Sequence, residues 1–277
     1  MRSLSLALAL ALALALPATG AGAVAAPIRS HGMDVHTSCS VNSDYDVSVY
    51  NSGIHFSRDA GNPHDVLMHD GHLQIDGHPQ SVSPADAARL RQYESHVRTL
   101  MPEVAAIARD GVGLGFDALT TVAATFADSS EDRQRITREL ASQRRRVLGR
   151  IEQGIGSGQW RQRDMDQVME NDMGDAVSTL VSTVASRAAK AALSGDQSQV
   201  ASLEARAQSL DQSIEQAVEV PAERLGKRAD ALCPRLVELD QLQHQLEFRR
   251  PDGSPLSLMT LKHESPHKNA VADASSD

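Results

Sequence analysis

The chain has 277 residues, a formal net charge of −9 at pH 7 and only 3% aromatic residues. A nucleic-acid binder shows itself by a basic domain, and base or sugar stacking needs aromatic platforms, so the composition argues against both. The core must be built from Leu, Val, Ile, Ala and Met, and a mature chain of about 250 residues suits one large domain or two small ones.

The chain opens MRSLSLALALALALALPATGAGAVAAP. Arg2 gives a positive start, Leu4 to Leu16 an apolar run, Pro17 a break, and small residues follow. This is the layout of a secretory signal peptide, and the A-x-A at Ala23–Ala25 predicts cleavage after Ala25. The apolar run is shorter than the roughly 20 residues of a membrane span. Residues 1–25 are therefore expected to be a leader, with the mature protein in the periplasm. Two cysteines, Cys39 and Cys233, complete the picture of an exported chain. An even count in an oxidising compartment predicts a disulfide. A redox pair is the alternative, but there is no C-x-x-C.

Residues 26–82 read as β-rich. Tyr45, Val47 and Val49 alternate with Asp46, Ser48 and Tyr50. Asn51-Ser52-Gly53 marks a turn, and Ile54 and Phe56 resume the alternation, so a hairpin is expected. The stretch HDVLMHDGHLQIDGH (64–78) then carries two Asp-Gly turn signals of the type I′ kind. It predicts a three-stranded meander over Val66–Val82. With Asp70-Gly71 as a two-residue turn, His69 sits opposite His72, on the face shared with Leu67 and Gln74. His78 falls opposite Ile75 on the apolar face, and His64 precedes the strand. The four histidines therefore do not converge as a zinc site requires. His69 and His72 are the only metal candidates, as a pair able to hold a cation weakly. No cofactor is expected.

Residues 83–248 read as an elongated helical bundle of four to six helices. Ser83-Pro84 starts the first, with a capping residue and a proline in the first turn. Leu90, Tyr93, Val97, Leu100, Val104 and Ile107 form its buried stripe. It is predicted to run on through GVGLGFDALTTVAATFA (111–127), where Gly111 and Gly115 would admit a close neighbour. Asp117 and Arg109-Asp110 argue against reading that segment as a membrane span. Ser129 restarts a helix with the stripe Ile136, Leu140, Val147, Ile151 and Ile155, ended by Gly154, Gly156 and Gly158. A further helix is predicted over about 161–193, with Met165, Val168/Met169, Met173, Val177, Leu180, Val184 and Ala188 inward. SGDQSQ breaks it. Another helix follows with Val200, Leu203, Ala207, Leu210, Ile214 and Val218 inward. Pro221 is expected to restart the chain, and Pro234 to kink or break the last helix. Residues 249–261 are read as a closing hairpin around Pro251-Asp252-Gly253-Ser254, and 262–277 as a disordered tail.

Several pieces match a known family. They are C-S-V at Cys39 with the Asp/Tyr-rich strands after it, D-G-x-L-x-I-D-G at Asp70–Gly77, S-x-x-D-a-a-x-L-R-x-Y-E at Ser83–Glu94, V-R-x-L-M-P-E-V-A-x-I-A-R-D-G-V-x-L at Val97–Leu114, and C-P-R-L-V-E-L-D at Cys233–Asp240. Together they resemble the YggN-like family of exported bacterial proteins, over most of the mature chain. The two-cysteine spacing is the most specific part and agrees with a Cys39–Cys233 bridge. The family is a domain of unknown function, so the resemblance implies location and architecture and carries over no catalytic residue.

No H-E-x-x-H, G-x-S-x-G, Walker or EF-hand motif occurs, and no catalytic residue is assigned. The segment 131–163 is locally basic, with nine arginines against four acids. Arg144, Arg145 and Arg146 are its densest part, a candidate face for anionic lipid, lipopolysaccharide or an acidic partner. A merely solvated helix face is the plain alternative. The expectation is an α+β protein, with an N-terminal antiparallel meander followed by a mainly helical bundle. It would be non-enzymatic and would bind an envelope protein or anionic surface. Metal binding by the His-rich hairpin 64–78, an enzyme without a recognisable motif, and a homo-oligomer through the helical faces are the rival readings.

Overall fold

The computed structural model describes residues 39–168 and 174–263. The predicted leader, the polar tail from 264, and Met169 and Met173 of the predicted helix stripe lie outside the described residues. An N-terminal antiparallel sheet precedes a mainly helical region, as the hydrophobic periodicities anticipate.

The chain enters as β1 (Cys39–Asn42) and then lays down β2 (Asp46–Tyr50), β3 (Gly53–Ser57), β4 (Asp65–His69), β5 (His72–Ile75) and β6 (His78–Gln80). Strands β2 to β6 run as one continuous antiparallel meander, wider than the hairpin and three strands read separately. Both Asp-Gly turns have the predicted hand: φ is 45° and 80° at Asp70 and Gly71, and 49° and 77° at Asp76 and Gly77. Only a two-residue turn with positive φ matches the twist of the flanking strands. Alternation then buries Ile54, Phe56, Val66, Met68 and Leu73 on one face.

That face is covered by α1 (Pro84–Thr125), a 42-residue helix. Ser83 caps it, its hydroxyl accepting from the Asp86 N–H at 3.1 Å. At 1.5 Å per residue the helix is about 63 Å long, which is enough to serve two cores. Its first half sets Leu90, Tyr93, Val97 and Leu100 on the sheet. Its second half sets Val112, Phe116, Leu119 and Ala123 against α2 (Ser130–Gln153), through Leu140, Val147 and Ile151. A fully buried large apolar side chain contributes roughly 2 kcal/mol, so this one helix ties both cores into one body.

After α2 the chain turns before it enters the helix predicted over about 161–193. The glycine triplet makes a 3₁₀ turn over Ile155–Ser157, and Gly158 takes a left-handed φ of 85°. The chain then forms β7 (Gln159–Trp160), which pairs with β2 and completes the sheet in the order β6-β5-β4-β3-β2-β7. Two residues give no periodic signal, so β7 is not readable from sequence. The predicted helix is described in two parts, α3 (Gln162–Asp166) and α4 (Gly174–Ser194), with residues 169–173 between them outside the described residues. Gly195 (φ 68°) turns it into α5 (Gln197–Ile214). Pro221 does not restart the chain. A π turn at Glu215–Glu219 leads straight into α6 (Val220–Asp230), with Pro221 in its first turn. The wide i→i+5 turn absorbs the register change that a proline imposes. The break before Pro234 is there, at Ala231–Leu232, and α7 (Cys233–His244) begins with Pro234 in its first turn.

The predicted α5 stripe is only partly covered. Val200 is exposed, Leu203, Leu210 and Ile214 are half-buried, and of that stripe only Val218 is buried, beyond the end of α5. Arginines supply much of the attachment instead. Arg187 donates to the Phe126 carbonyl at 2.6 Å and pairs with Asp128 and Asp132, and Arg206 donates to the Ala127 carbonyl at 3.2 Å.

Beyond α7, the turn expected at 251–254 is closed by a bridge between Arg249 and Pro255. The strand that follows, β8 (Thr260–His263), does not fold back on the segment before the turn. It pairs with β1, Cys39 opposite His263 and Asn42 opposite Thr260. Buried Gln243 fixes this tail: its Oε1 accepts from the N–H groups of Leu258 and Met259 at 2.9 and 3.2 Å, and its Nε2 donates to the Met259 carbonyl at 2.7 Å. Leu256, Leu258 and Met259 are thereby seated in the core.

Candidate functional site

The His-rich hairpin folds in the predicted register. His69 stands opposite His72 and Ile75 opposite His78, and all three histidines are exposed. The closest carboxylate to the pair belongs to α1: Glu94 Oε1 lies 3.7 Å from His69 Nδ1. Glu94 is already engaged. It accepts from the Asp70 N–H at 2.9 Å and from Arg98 Nη2 at 2.6 Å. Burial pushes its carboxyl up, but the bonds from Arg98 and Asp70 and the charges of Arg98 and His69 outweigh that and hold it below the usual carboxylate range. Glu94 thus anchors the β4–β5 turn on α1. Gly71 allows the contact, since a Cβ there would lie 2.6 Å from the Ala87 carbonyl oxygen. Among the described residues no group of three or more His, Cys, Asp or Glu is placed to hold a metal.

The basic segment resolves into paired and unpaired arginines. Arg144 reaches back to α1, where its Nη1 meets Asp117 Oδ1 at 2.7 Å. Its guanidinium crosses α1 at Gly113, 2.9 Å from where a Cβ would stand. The glycine that makes room is therefore Gly113, between the two singled out by spacing, and at Gly111 the neighbour is the Leu225 side chain. Arg135 pairs with Asp132 at 2.6 Å, Arg163 with Asp59 at 3.4 Å, and Glu152 is taken by Arg109 at 2.6 Å. Arg145 and Arg146 are different. Both are exposed, Arg146 Nη1 donates only to Ser142 Oγ on its own helix, and neither meets a carboxylate among the described residues. Arg138, two turns before Arg145, likewise donates only to a carbonyl of its own helix, that of Gln134. The i, i+7 spacing puts Arg138 and Arg145 on one outward ridge of α2.

Cys39, in β1, is bonded to Cys233 at the start of α7, with 5.8 Å between their Cα atoms. Neither cysteine is free. The bridge clamps the β1–β8 ribbon to α7, which a two-stranded ribbon needs because it is only marginally stable alone.

The sequence gives no sign of one further feature. A cleft of about 420 Å³ opens between the last turn of α2, β7 and α3. Ile151, Ile155 and Val168, all buried, form its apolar lining. Gln153, Gln159, Gln167, Arg150, Arg161 and Asp164 supply polar groups around it. It exists because the glycine triplet turns the chain back on the end of α2.

Among the described residues no helix is long and apolar enough to cross a membrane. Comparison with known proteins finds no matching curated protein and no matching solved structure. A family model does match, described as "Protein of unknown function (DUF2884)", over residues 39–259. That span runs from β1 to the buried Met259 and includes both bridged cysteines. The chain belongs to this family of proteins of unknown function.

Proposed function

We propose that this is an exported, periplasmic protein of the YggN-like type, non-enzymatic, that docks on an anionic envelope partner through the outer face of α2. Arg145 and Arg146 make the contact, flanked by Arg138, while Arg144 braces the helix against Asp117. The observation that carries the reading is the contrast within one arginine run: Arg144 is paired with Asp117 of α1, and its two neighbours face outward and meet no carboxylate among the described residues. Unpaired guanidiniums on a chain with a net charge of −9 are a local field of opposite sign, suited to steering an acidic surface. The leader-like N-terminus and the Cys39–Cys233 bridge support export. In domain terms we assign docking to the helical region 83–248 and regard the β-rich region 26–82 as its support. Charge reversal at both positions (Arg145→Glu, Arg146→Glu) should weaken capture of the partner from intact cells at least tenfold, with binding that falls as salt rises. Unchanged affinity overturns the assignment.

The register of His69 opposite His72 favours one second reading, weak divalent-cation binding at the hairpin. Zinc or copper titrated into untagged protein should then bind, and the His69→Ala/His72→Ala variant should lose it. Equal binding by both proteins excludes the hairpin as the site.

A further inference from the structure

We infer that the cleft at the end of α2 is a binding site for an acylated amino acid with an aliphatic side chain, the chemistry that a peptide's carboxy-terminal residue shares. The inference stands on the cleft alone and does not depend on the arginine ridge. Three properties specify the ligand. Ile151, Ile155 and Val168 give a buried branched-aliphatic lining, matched by one Leu- or Val-like side chain. Gln153, Gln159 and Gln167 bring three carboxamides to the same cavity, each able to donate and accept, as an amide group requires. Two arginines, Arg150 and Arg161, line it, and Arg161 is the one suited to hold a carboxylate. Its Nη2 donates to Gln159 Oε1 at 2.7 Å, which sets the plane of the guanidinium, and among the described residues its Nε and Nη1 donate no hydrogen bond. A planar fork with donors to spare is the group suited to a carboxylate.

Asp164 Oδ2, 4.0 Å from Arg161 Nη1, is the one acid lining the cleft among the described residues. It limits the charge the site tolerates and favours a monoanion. The volume, about 420 Å³, lies within the range of about 300–1,000 Å³ for small-molecule pockets. An acylated leucine has about a dozen non-hydrogen atoms. A ligand of that size should bind with a Kd on the order of 1 mM, and a longer peptide more tightly.

The test uses the mature chain and three probes, N-acetyl-leucine, N-acetyl-leucinamide and the peptide Ala-Ala-Ala-Leu, followed by NMR line broadening and calorimetry. N-acetyl-leucine should bind, and the uncharged leucinamide should bind at least tenfold more weakly. Arg161→Ala should weaken the acid at least tenfold, Gln167→Ala severalfold, and Asp164→Asn should tighten it. Gln208→Ala, on α5 and outside the cleft, should leave this binding unchanged. Tighter binding of the peptide than of N-acetyl-leucine assigns the site to polypeptide ends, and equal binding to free solutes. No binding at 10-fold above the expected Kd, equal binding of acid and amide, or indifference to Arg161→Ala overturns the inference. Arg161 is half-exposed, so its removal leaves the fold intact, and a thermal melt verifies that.

Discussion

The carboxylate of Asp86, in the first turn of α1, accepts the backbone N–H of Phe248 at 2.8 Å, across 162 residues of chain. The same carboxylate accepts the Glu247 N–H at 3.0 Å and Arg89 Nη1 at 2.8 Å, and it is only 1% exposed. One acid thus joins the start of the helical region to the segment that leaves α7. Removing it strands two N–H groups and leaves Arg89 with Glu247 Oε1, 3.8 Å away, as its remaining acidic partner. Asp86→Ala should cost about 3 kcal/mol, since an unsatisfied buried group costs about 1–3 kcal/mol. Urea denaturation measures the loss, and a change below about 0.5 kcal/mol would show that the contact is not holding the tail.

Asp86 also sets part of the pH dependence, together with Glu94. Burial pushes the Asp86 carboxyl up, but the bonds from the Glu247 N–H, Arg89 and the Phe248 N–H outweigh it, so its pKa is lowered. Glu94 is lowered likewise. A carboxyl whose folded pKa lies below its unfolded value stabilises the fold above the unfolded value, about 4, and loses that contribution as pH falls through the folded one. Stability should therefore drop on acidification below about pH 4. The Asp86→Asn/Glu94→Gln variant should be less stable at pH 7 and should show a shallower acid slope in denaturant melts from pH 3 to 8.

Loss of the bridge should be felt globally. Cys39 and Cys233 are 194 residues apart in sequence, and the chain-entropy model gives up to about 5 kcal/mol for so long a loop. Cys39→Ser/Cys233→Ser should lower the melting temperature, and the β1–β8 ribbon should become the first site of proteolytic nicking. A variant as stable and as protease-resistant as the parent would contradict the clamp.

The two Asp-Gly turns allow a controlled comparison. Gly71 and Gly77 have nearly the same φ, 80° and 77°. A Cβ at Gly71 would meet the Ala87 carbonyl at 2.6 Å, while at Gly77 it would meet nothing within 4 Å. Gly77→Ala should cost about 1 kcal/mol from the left-handed backbone alone. Gly71→Ala should cost clearly more and should loosen the turn from α1. Equal costs would mean that the turn is not pressed on the helix.

Much of this architecture was legible because it is local. The Asp-Gly dipeptides specify turns, period-two alternation specifies the sheet face, and Ser83-Pro84 and Ser129 specify helix starts. The His69–His72 register followed from turn length alone. What escaped is long-range or very short. β7 is two residues, too few for a period. The β1–β8 pairing joins the two ends of the described chain, and nothing in either tetrapeptide names the other. Pro221 was misread because a π turn precedes it, and π turns have no sequence signature. At the arginine run the residue types were visible, but the division of labour was not: only the fold shows that Arg144 crosses Gly113 to pair with Asp117 while Arg145 and Arg146 face out.

The docking claim is tested most directly by site-specific photo-crosslinking in intact cells. A crosslinking residue is placed at exposed Gln134, on the Arg138–Arg145 ridge of α2, and, as control, at exposed Gln208 on α5. The α2 position should yield one reproducible acidic envelope adduct, absent from the Gln208 position and abolished by Arg145→Glu/Arg146→Glu. Adducts from Gln208 but not from Gln134, or an α2 adduct indifferent to the charge reversal, would contradict the account.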